Sequence, residues 1–153
     1  FVKESVKQDI KVEGDGTVTK TLFINYKNPA PPSNCNLEAG QLGLNGILRN
    51  WLRLYVSEGS KLIEFIGSEK ETRTYTELGK TVFEGFMTVK PEGVTEVKVR
   101  YRLPFKADKS TLLKLTLQKQ PGTDEPQYRI SVNGKNIFDK LELREDSDLT
   151  LTW

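Results

Sequence analysis

The sequence predicts an all-β fold, a sandwich of two packed antiparallel sheets in an immunoglobulin-like or jelly-roll arrangement. Apolar and polar residues alternate with a period of two over most of the 153 residues, which is typical of half-buried strands. Turn signals separate nine or ten such segments, and no stretch longer than about ten residues has a helical period. A closed barrel is also compatible with this strand count.

The amino-terminal residues predict a hairpin. Val6 and Ile10 share one phase of the first segment, and Lys7 and Lys11 share the other, so one face of the strand is expected to meet solvent. Residues 13–16 form a Gly- and Asp-containing turn cluster, and residues 17–26 return as a β-branched and aromatic segment. The two segments are therefore expected to pair.

The remaining strands follow from the same alternation. It recurs over residues 49–56, 97–103, 113–117, 128–132, 141–143 and 149–153, and Asn133-Gly134 predicts a tight turn. Segments 61–66 and 81–89 carry apolar residues in both phases. We expect these two to be strands covered on both sides or distorted near Gly85.

Residues 28–48 interrupt this rhythm with three prolines, three glycines and no clear strand. Loops of this length are uncommon inside compact domains. Two interpretations stay open, a loop that binds a ligand or partner and a plain crossing connection between the sheets.

Composition excludes several classes of function. The formal net charge of +2 is too small for the electrostatic footprint of a nucleic-acid-binding protein, and no apolar run is long enough to cross a bilayer. The chain has no histidine, the usual general base and a common metal ligand, and Cys35 is its single cysteine. We therefore expect a non-enzymatic monomer with no catalytic residues, no metal and no cofactor.

The candidate ligand-binding residues lie on one face of the strand at 49–56. Arg49, Trp51, Arg53 and Tyr55 alternate with three aliphatic residues that are expected to enter the core. At the usual strand rise Trp51 and Tyr55 lie roughly 13 Å apart, a spacing suited to stacking on non-adjacent sugars of a glycan. The alternative is that Trp51 packs under the long loop and the arginines only cover the sheet.

Lys20 is unusual because it shares its phase with the apolar residues of its strand. A buried lysine needs a partner, and some surface-protein sandwiches join such a lysine to an Asn through a self-formed amide. Asn25, Asn133 and Asn136 are conceivable partners. The other interpretation is a lysine that snorkels from an edge strand.

Two further chemistries are allowed by the residues without being favoured. Residues 145–148 offer oxygen ligands for Ca²⁺, but they lack the glycine and distal Glu of a calcium loop, so a solvated acidic turn is expected. Glycoside hydrolysis by a pair of carboxylates is an enzymatic mechanism that does not require histidine. The outward carboxylates available for it include Glu64, Glu84, Glu96 and Glu142.

Several strings of residues resemble a known family. They are Cys35-Asn36-Leu37-Glu38, Arg49-Asn50-Trp51, Gly59-Ser60-Lys61-Leu62, Glu77-Leu78-Gly79-Lys80-Thr81-Val82-Phe83 and Tyr101-Arg102-Leu103-Pro104-Phe105. Together they resemble the carboxy-terminal β domain of the bacterial domain-of-unknown-function family 4012, over roughly residues 1–145. The resemblance implies a membrane-anchored cell-surface protein with an extracytoplasmic portion. It also implies a second cysteine at Gly43 and a proline at Ser57, both of which differ in this chain.

The expected function combines these observations. Residues 1–153 are read as one sandwich domain excised from a longer chain, itself making no membrane contact and lying outside the cytoplasm. We expect a non-enzymatic surface module with a structural, adhesive or partner-contacting role, whose partner is a cell-surface protein or a glycan. The alternative is a carbohydrate-binding module that uses the aromatic and arginine face.

Overall fold

A computed structural model describes residues 2–33, 45–108, 110, 112–120 and 124–152. The predicted all-β fold is confirmed, and no helix of the described residues is long and apolar enough to cross a membrane. The strands are β1 (Lys3–Val12), β2 (Thr17–Lys27), β3 (Leu48–Ser57), β4 (Lys61–Ile66), β5 (Arg73–Glu77), β6 (Lys80–Val89), β7 (Val94–Lys106), β8 (Leu113–Leu117), β9 (Gln127–Val132), β10 (Lys135–Glu142) and β11 (Ser147–Leu151).

The largest sheet has six strands in the order β10-β9-β1-β2-β7-β4. Its two ends do not pair, so the sheet is open and the barrel alternative is wrong for the described residues. The predicted hairpin is present, because β1 and β2 pair antiparallel from Lys3↔Lys27 to Val12↔Val18. One pair departs from the antiparallel rule, since β1 and β9 run parallel. The chain between them supplies the long crossover that a parallel pair needs.

Two smaller sheets complete the sandwich. One has the order β3-β6-β5 and the other pairs β11 with β8, each antiparallel. Their apolar side chains, including Val56, Phe83 and Leu115, join those of the six-stranded sheet in one core. The alternation predicted for β7 is confirmed. Val97 and Val99 are buried, and the charged residues between and beside them face outwards. Packed antiparallel sheets around one core are the arrangement that the alternation predicts.

The two segments with apolar residues in both phases, 61–66 and 81–89, form strands of different kinds. β6 keeps an unbroken register with both neighbours, so it is not distorted near Gly85. Its inward phase is buried, whereas Glu84, Phe86 and Thr88 of its outward phase are only half-buried. β4 is an edge strand whose register shifts between Leu62 and Glu64. The shift leaves Ile63 and Ile66 each 52% exposed, which explains the apolar residues in the second phase.

Gly85 is required because the ring of Phe65 fills the place of a side chain. A Cβ on Gly85 would lie 2.5 Å from Cζ and 2.7 Å from Cε1 of that ring. This contact joins β4 of the large sheet to β6 of the three-stranded sheet. A glycine inside a strand often marks such a close approach.

We expect Gly85→Ala to lower the free energy of unfolding by about 1–2 kcal/mol, because overpacking at Phe65 outweighs the entropic benefit of replacing glycine. Denaturant unfolding measures the change. Gly14→Ala is the matched control, since a Cβ there meets nothing within 4 Å. Phe65→Leu in the Gly85→Ala background should recover part of the loss. Equal stabilities for the two glycine variants would contradict the proposed contact.

The turns explain one strand that the sequence reading missed. Asn133 and Gly134 have φ of 47° and 80°, as expected for the predicted tight turn. Leu78 and Gly79 have φ of 51° and 67° and join β5 to β6 in the same way. Leucine is rare at such a position, so this hairpin carries no clear turn signal in the sequence.

The described ends of the 28–48 connection are tied together. Asn45 donates from its backbone N to Ser33 Oγ at 2.6 Å, and Ser33 N donates to Asn45 O at 2.8 Å. The buried Asn28 donates from Nδ2 to Asn45 Oδ1 at 3.0 Å. Residues 34–44, with Cys35 and Gly43, lie outside the described residues, so the two interpretations of this connection stay predictions.

Candidate functional site

The outer surface of the three-stranded sheet forms the candidate site. β3 is an edge strand of this sheet, and its register places Trp51, Arg53 and Tyr55 on one face with the outward residues of β6. β5 adds residues to the same face on the other side of β6. We call this surface the aromatic face and define it by six residues, Trp51, Arg53, Tyr55, Tyr75, Glu77 and Glu84.

Hydrogen bonds connect the side chains of the aromatic face across its three strands. Tyr55 Oη donates to Glu77 Oε2, and Tyr75 Oη donates to Glu84 Oε2 at 2.8 Å. The Arg53 guanidinium lies 3.6 Å from Glu77 Oε2. Each strand therefore contributes to a network that fixes the orientation of both tyrosine rings.

Arg53 lies between two aromatic rings. Its Cζ is 5.2 Å from the ring centroid of Trp51 and 5.8 Å from that of Tyr55. Both distances suit cation–π attraction. The guanidinium thus links the two rings that are candidates for stacking on a ligand.

The electrostatics of the face follow from these contacts. The hydrogen bond to Glu77 raises the pKa of Tyr55, and the hydrogen bond to Glu84 raises the pKa of Tyr75. The pKa of Arg53 is raised chiefly by its hydrogen bond with Tyr75. At neutral pH both tyrosines therefore keep their protons and the guanidinium keeps its charge.

Trp51 is the most exposed aromatic side chain of this face, at 60%. Residues 34–44 of the long connection lie outside the described residues, so the alternative in which Trp51 packs under it stays a prediction. Tyr55 is 39% exposed. Arg49 is exposed and lies on the same face opposite Thr88. The structure thus places all four predicted residues on one surface.

Half of this face was not predicted. Tyr75 and Glu77 were missed because β5 was not recognised as a strand, and Glu84 of β6 was expected to face outwards but was considered only for catalysis. The signal was present, since Arg73, Tyr75 and Glu77 alternate with two threonines over five residues. Val82 gives a second signal, because an apolar residue in the outward phase of β6 indicates that side chains of neighbouring strands cover it. In the structure Val82 is fully buried and lies between Tyr55 and Tyr75 in register.

Lys20 is buried in the core, with 8% of its surface exposed. It lies between Ile10 and Tyr101 of the neighbouring strands, so the edge-strand interpretation is wrong. No hydrogen bond or ion pair joins its ammonium to any described residue. Burial lowers the pKa of Lys20 to about 8.

The three proposed amide partners of Lys20 lie elsewhere. Asn25 belongs to the outward phase of the same strand, and Asn136 pairs with Ser131, which also faces outwards with Asp9. Asn133 Oδ1 accepts a hydrogen bond from Val12 N at 2.9 Å. None of these three asparagines is therefore placed to form an amide with Lys20.

The carboxylates considered for catalysis and metal binding are dispersed. Glu64, Glu84, Glu96 and Glu142 lie on four strands of two sheets. In the 145–148 turn, Asp146 Oδ1 accepts from Lys119 N at 2.7 Å and Asp148 Oδ1 accepts from Thr116 Oγ1 at 2.6 Å. Among the described residues no three acidic or sulfur-bearing side chains are grouped as metal ligands.

Comparisons with known proteins add little to this geometry. No protein-family model and no curated protein matches the chain. Two structures of an M1 zinc metallopeptidase from Deinococcus radiodurans are distantly similar. A mutant bound to a Tyr-Ser-Ala substrate has 11% identity and a TM-score of 0.42, and the other structure has 10% and 0.38. This chain spans 39% and 38% of their lengths, with 99% of its own length covered. At these TM-scores the likeness carries no argument about function.

Proposed function

We propose that the chain is a non-enzymatic extracytoplasmic surface module whose aromatic face contacts a partner on a cell surface. The observation that carries the proposal is Trp51, which is 60% exposed beside a network of tyrosines, an arginine and carboxylates. Trp, Tyr and Arg are the residues that most often dominate binding energy at interfaces. The resemblance to the bacterial family supports the extracytoplasmic location and a membrane-anchored parent protein.

A carbohydrate-binding module is the second candidate. Arg53 lies within 5.8 Å of both ring centroids, so Trp51 and Tyr55 are held as two exposed rings on one strand. Rings fixed in this way lose little conformational entropy when a sugar stacks on them. The polar groups around them can also donate to and accept from sugar hydroxyls.

The first test measures binding of the fluorescently labelled chain to intact bacterial cells and to neutral cell-wall polysaccharides. We expect Trp51→Ala to weaken binding about tenfold or more, because truncating an interface tryptophan costs on the order of 2 kcal/mol. Phe105→Ala is the matched control, since Phe105 is 43% exposed on β7 of the other sheet. We expect it to bind like the unmodified chain.

Treatment of the cells separates the two candidates. Loss of binding after protease digestion supports a protein partner, and loss after periodate oxidation supports a glycan. Binding that Trp51→Ala leaves intact would contradict both candidates, as would a failure to bind either cells or polysaccharides.

A further inference from the structure

The outer face of the six-stranded sheet is strongly basic. On its central strands β1, β2 and β7, the outward phase contains eight cationic side chains and two carboxylates. The cationic residues are Lys3, Lys7, Lys11, Lys27, Lys98, Arg100, Arg102 and Lys106, and the acidic ones are Asp9 and Glu96. The whole chain carries a net charge of only +2, so this face concentrates positive charge that is balanced elsewhere.

Part of this charge is not neutralised by neighbouring carboxylates. Lys98 pairs with Glu64 at 2.6 Å, Lys7 pairs with Asp9 at 2.8 Å, and Lys11 pairs with Glu13 at 2.8 Å. Arg100 lies opposite Glu64 in register, but that carboxylate is engaged by Lys98. No ion pair joins Arg100 or Arg102 to a carboxylate of the described residues. Two guanidinium groups on one face are thus available for bidentate contacts with anions.

A groove of about 820 Å³ runs over this face. Lys7, Lys11, Lys98 and Arg100 line it together with a single carboxylate, Asp9. Threonine, serine and asparagine side chains complete the lining and supply neutral donors and acceptors. This combination matches a ligand that carries both carboxylates and hydroxyl groups.

We propose that this groove binds an acidic polysaccharide, a polymer of sugars that carry carboxylate groups. Charge complementarity selects a polyanion, and the neutral hydroxyl and amide groups suit sugar hydroxyls. Single-stranded nucleic acid fits less well, because it needs exposed aromatic rings for base stacking. The aromatic ring in the groove is Phe23, which is half-buried and has the Lys7 ammonium 5.3 Å from its centroid.

The test is calorimetric titration of the chain with sodium polygalacturonate in low salt, with neutral dextran and a single-stranded DNA oligonucleotide as competing ligands. We expect saturable polygalacturonate binding that weakens with added salt and no binding of dextran. Lys98→Gln/Arg100→Gln should weaken polygalacturonate binding about tenfold, because two cationic side chains that line the groove are lost. Lys90→Gln/Lys114→Gln makes the same charge change on exposed residues away from this sheet and should stay within about twofold of the unmodified chain.

Three results would overturn the proposal, namely no polygalacturonate binding in low salt, equal losses in the two double variants, or tighter binding of the DNA than of polygalacturonate. If Lys98→Gln/Arg100→Gln fails to fold, Lys7→Gln/Lys11→Gln tests the same groove from β1. Trp51→Ala should leave polygalacturonate binding unchanged because Trp51 belongs to the other sheet. The result therefore stands independently of the function proposed for the aromatic face.

Discussion

Replacing Lys20 with methionine is expected to raise the free energy of unfolding at pH 7 by about 2–3 kcal/mol. Burial lowers the pKa of Lys20 from 10.5 to about 8, and each tenfold change in a proton equilibrium corresponds to about 1.4 kcal/mol. Below pH 8 the folded chain holds Lys20 charged with only 8% of its surface exposed, which costs free energy of desolvation. Methionine keeps the length and flexibility of the side chain and removes the charge.

The same property gives the effect a pH dependence of defined sign. Between about pH 8 and 10.5 the unfolded chain binds more protons at Lys20 than the folded chain does, so stability rises with pH in that window. Urea unfolding at pH 7, 8, 9 and 9.7 should therefore show the advantage of Lys20→Met shrinking as the pH increases. Lys27→Met, at the exposed end of β2, should show no such trend. A constant advantage over this range would contradict a buried, protonated Lys20.

Phe83→Ala is expected to lower the free energy of unfolding by about 3–5 kcal/mol. Phe83 is fully buried on the inner face of β6, and its ring centroid lies 5.4 Å from that of Tyr101 on β7, with the planes tilted by 56°. The pair therefore joins the three-stranded sheet to the six-stranded sheet. A loss of this size is a large fraction of the stability of an ordinary domain.

Guanidinium unfolding measures the loss, with Phe105→Ala as the same chemical change at a 43% exposed position. We expect the control to cost less than about 1 kcal/mol. Phe83→Leu is a milder variant that keeps the comparison quantitative if Phe83→Ala does not fold. Equal costs at positions 83 and 105 would show that Phe83 does not hold the two layers together.

Much of the fold follows from alternation alone. The phases of β1, β2 and β7 identify the core face because their apolar residues are concentrated on one side, although Gln8 and Lys20 are polar residues buried on that side. The alternation does not show which sheet each strand belongs to, because strands of every sheet have the same two-residue period. The parallel pairing of β1 with β9 was likewise not predictable, since it joins residues more than 110 positions apart and leaves no local signal.

The candidate site was predictable for one strand and not for its neighbours. Arg49, Trp51, Arg53 and Tyr55 share a phase, so their common face could be read from β3 alone. The contacts of Arg53 and Tyr55 with Glu77 depend on the order β3-β6-β5, which the sequence does not encode locally. The basic groove escaped detection for the same reason, because its cations come from strands whose adjacency was unknown.

The central position of β1 has a consequence for how the chain folds during synthesis. β1 emerges first, and it pairs on one side with β2 soon afterwards. Its other edge pairs with β9, which ends at Val132, so that edge stays unpaired until residue 132 has been made. Such non-local pairing slows folding and leaves a strand edge open to other chains. During synthesis, the interval between β2 and β9 is therefore the period in which β1 is most exposed to pairing with the wrong strand.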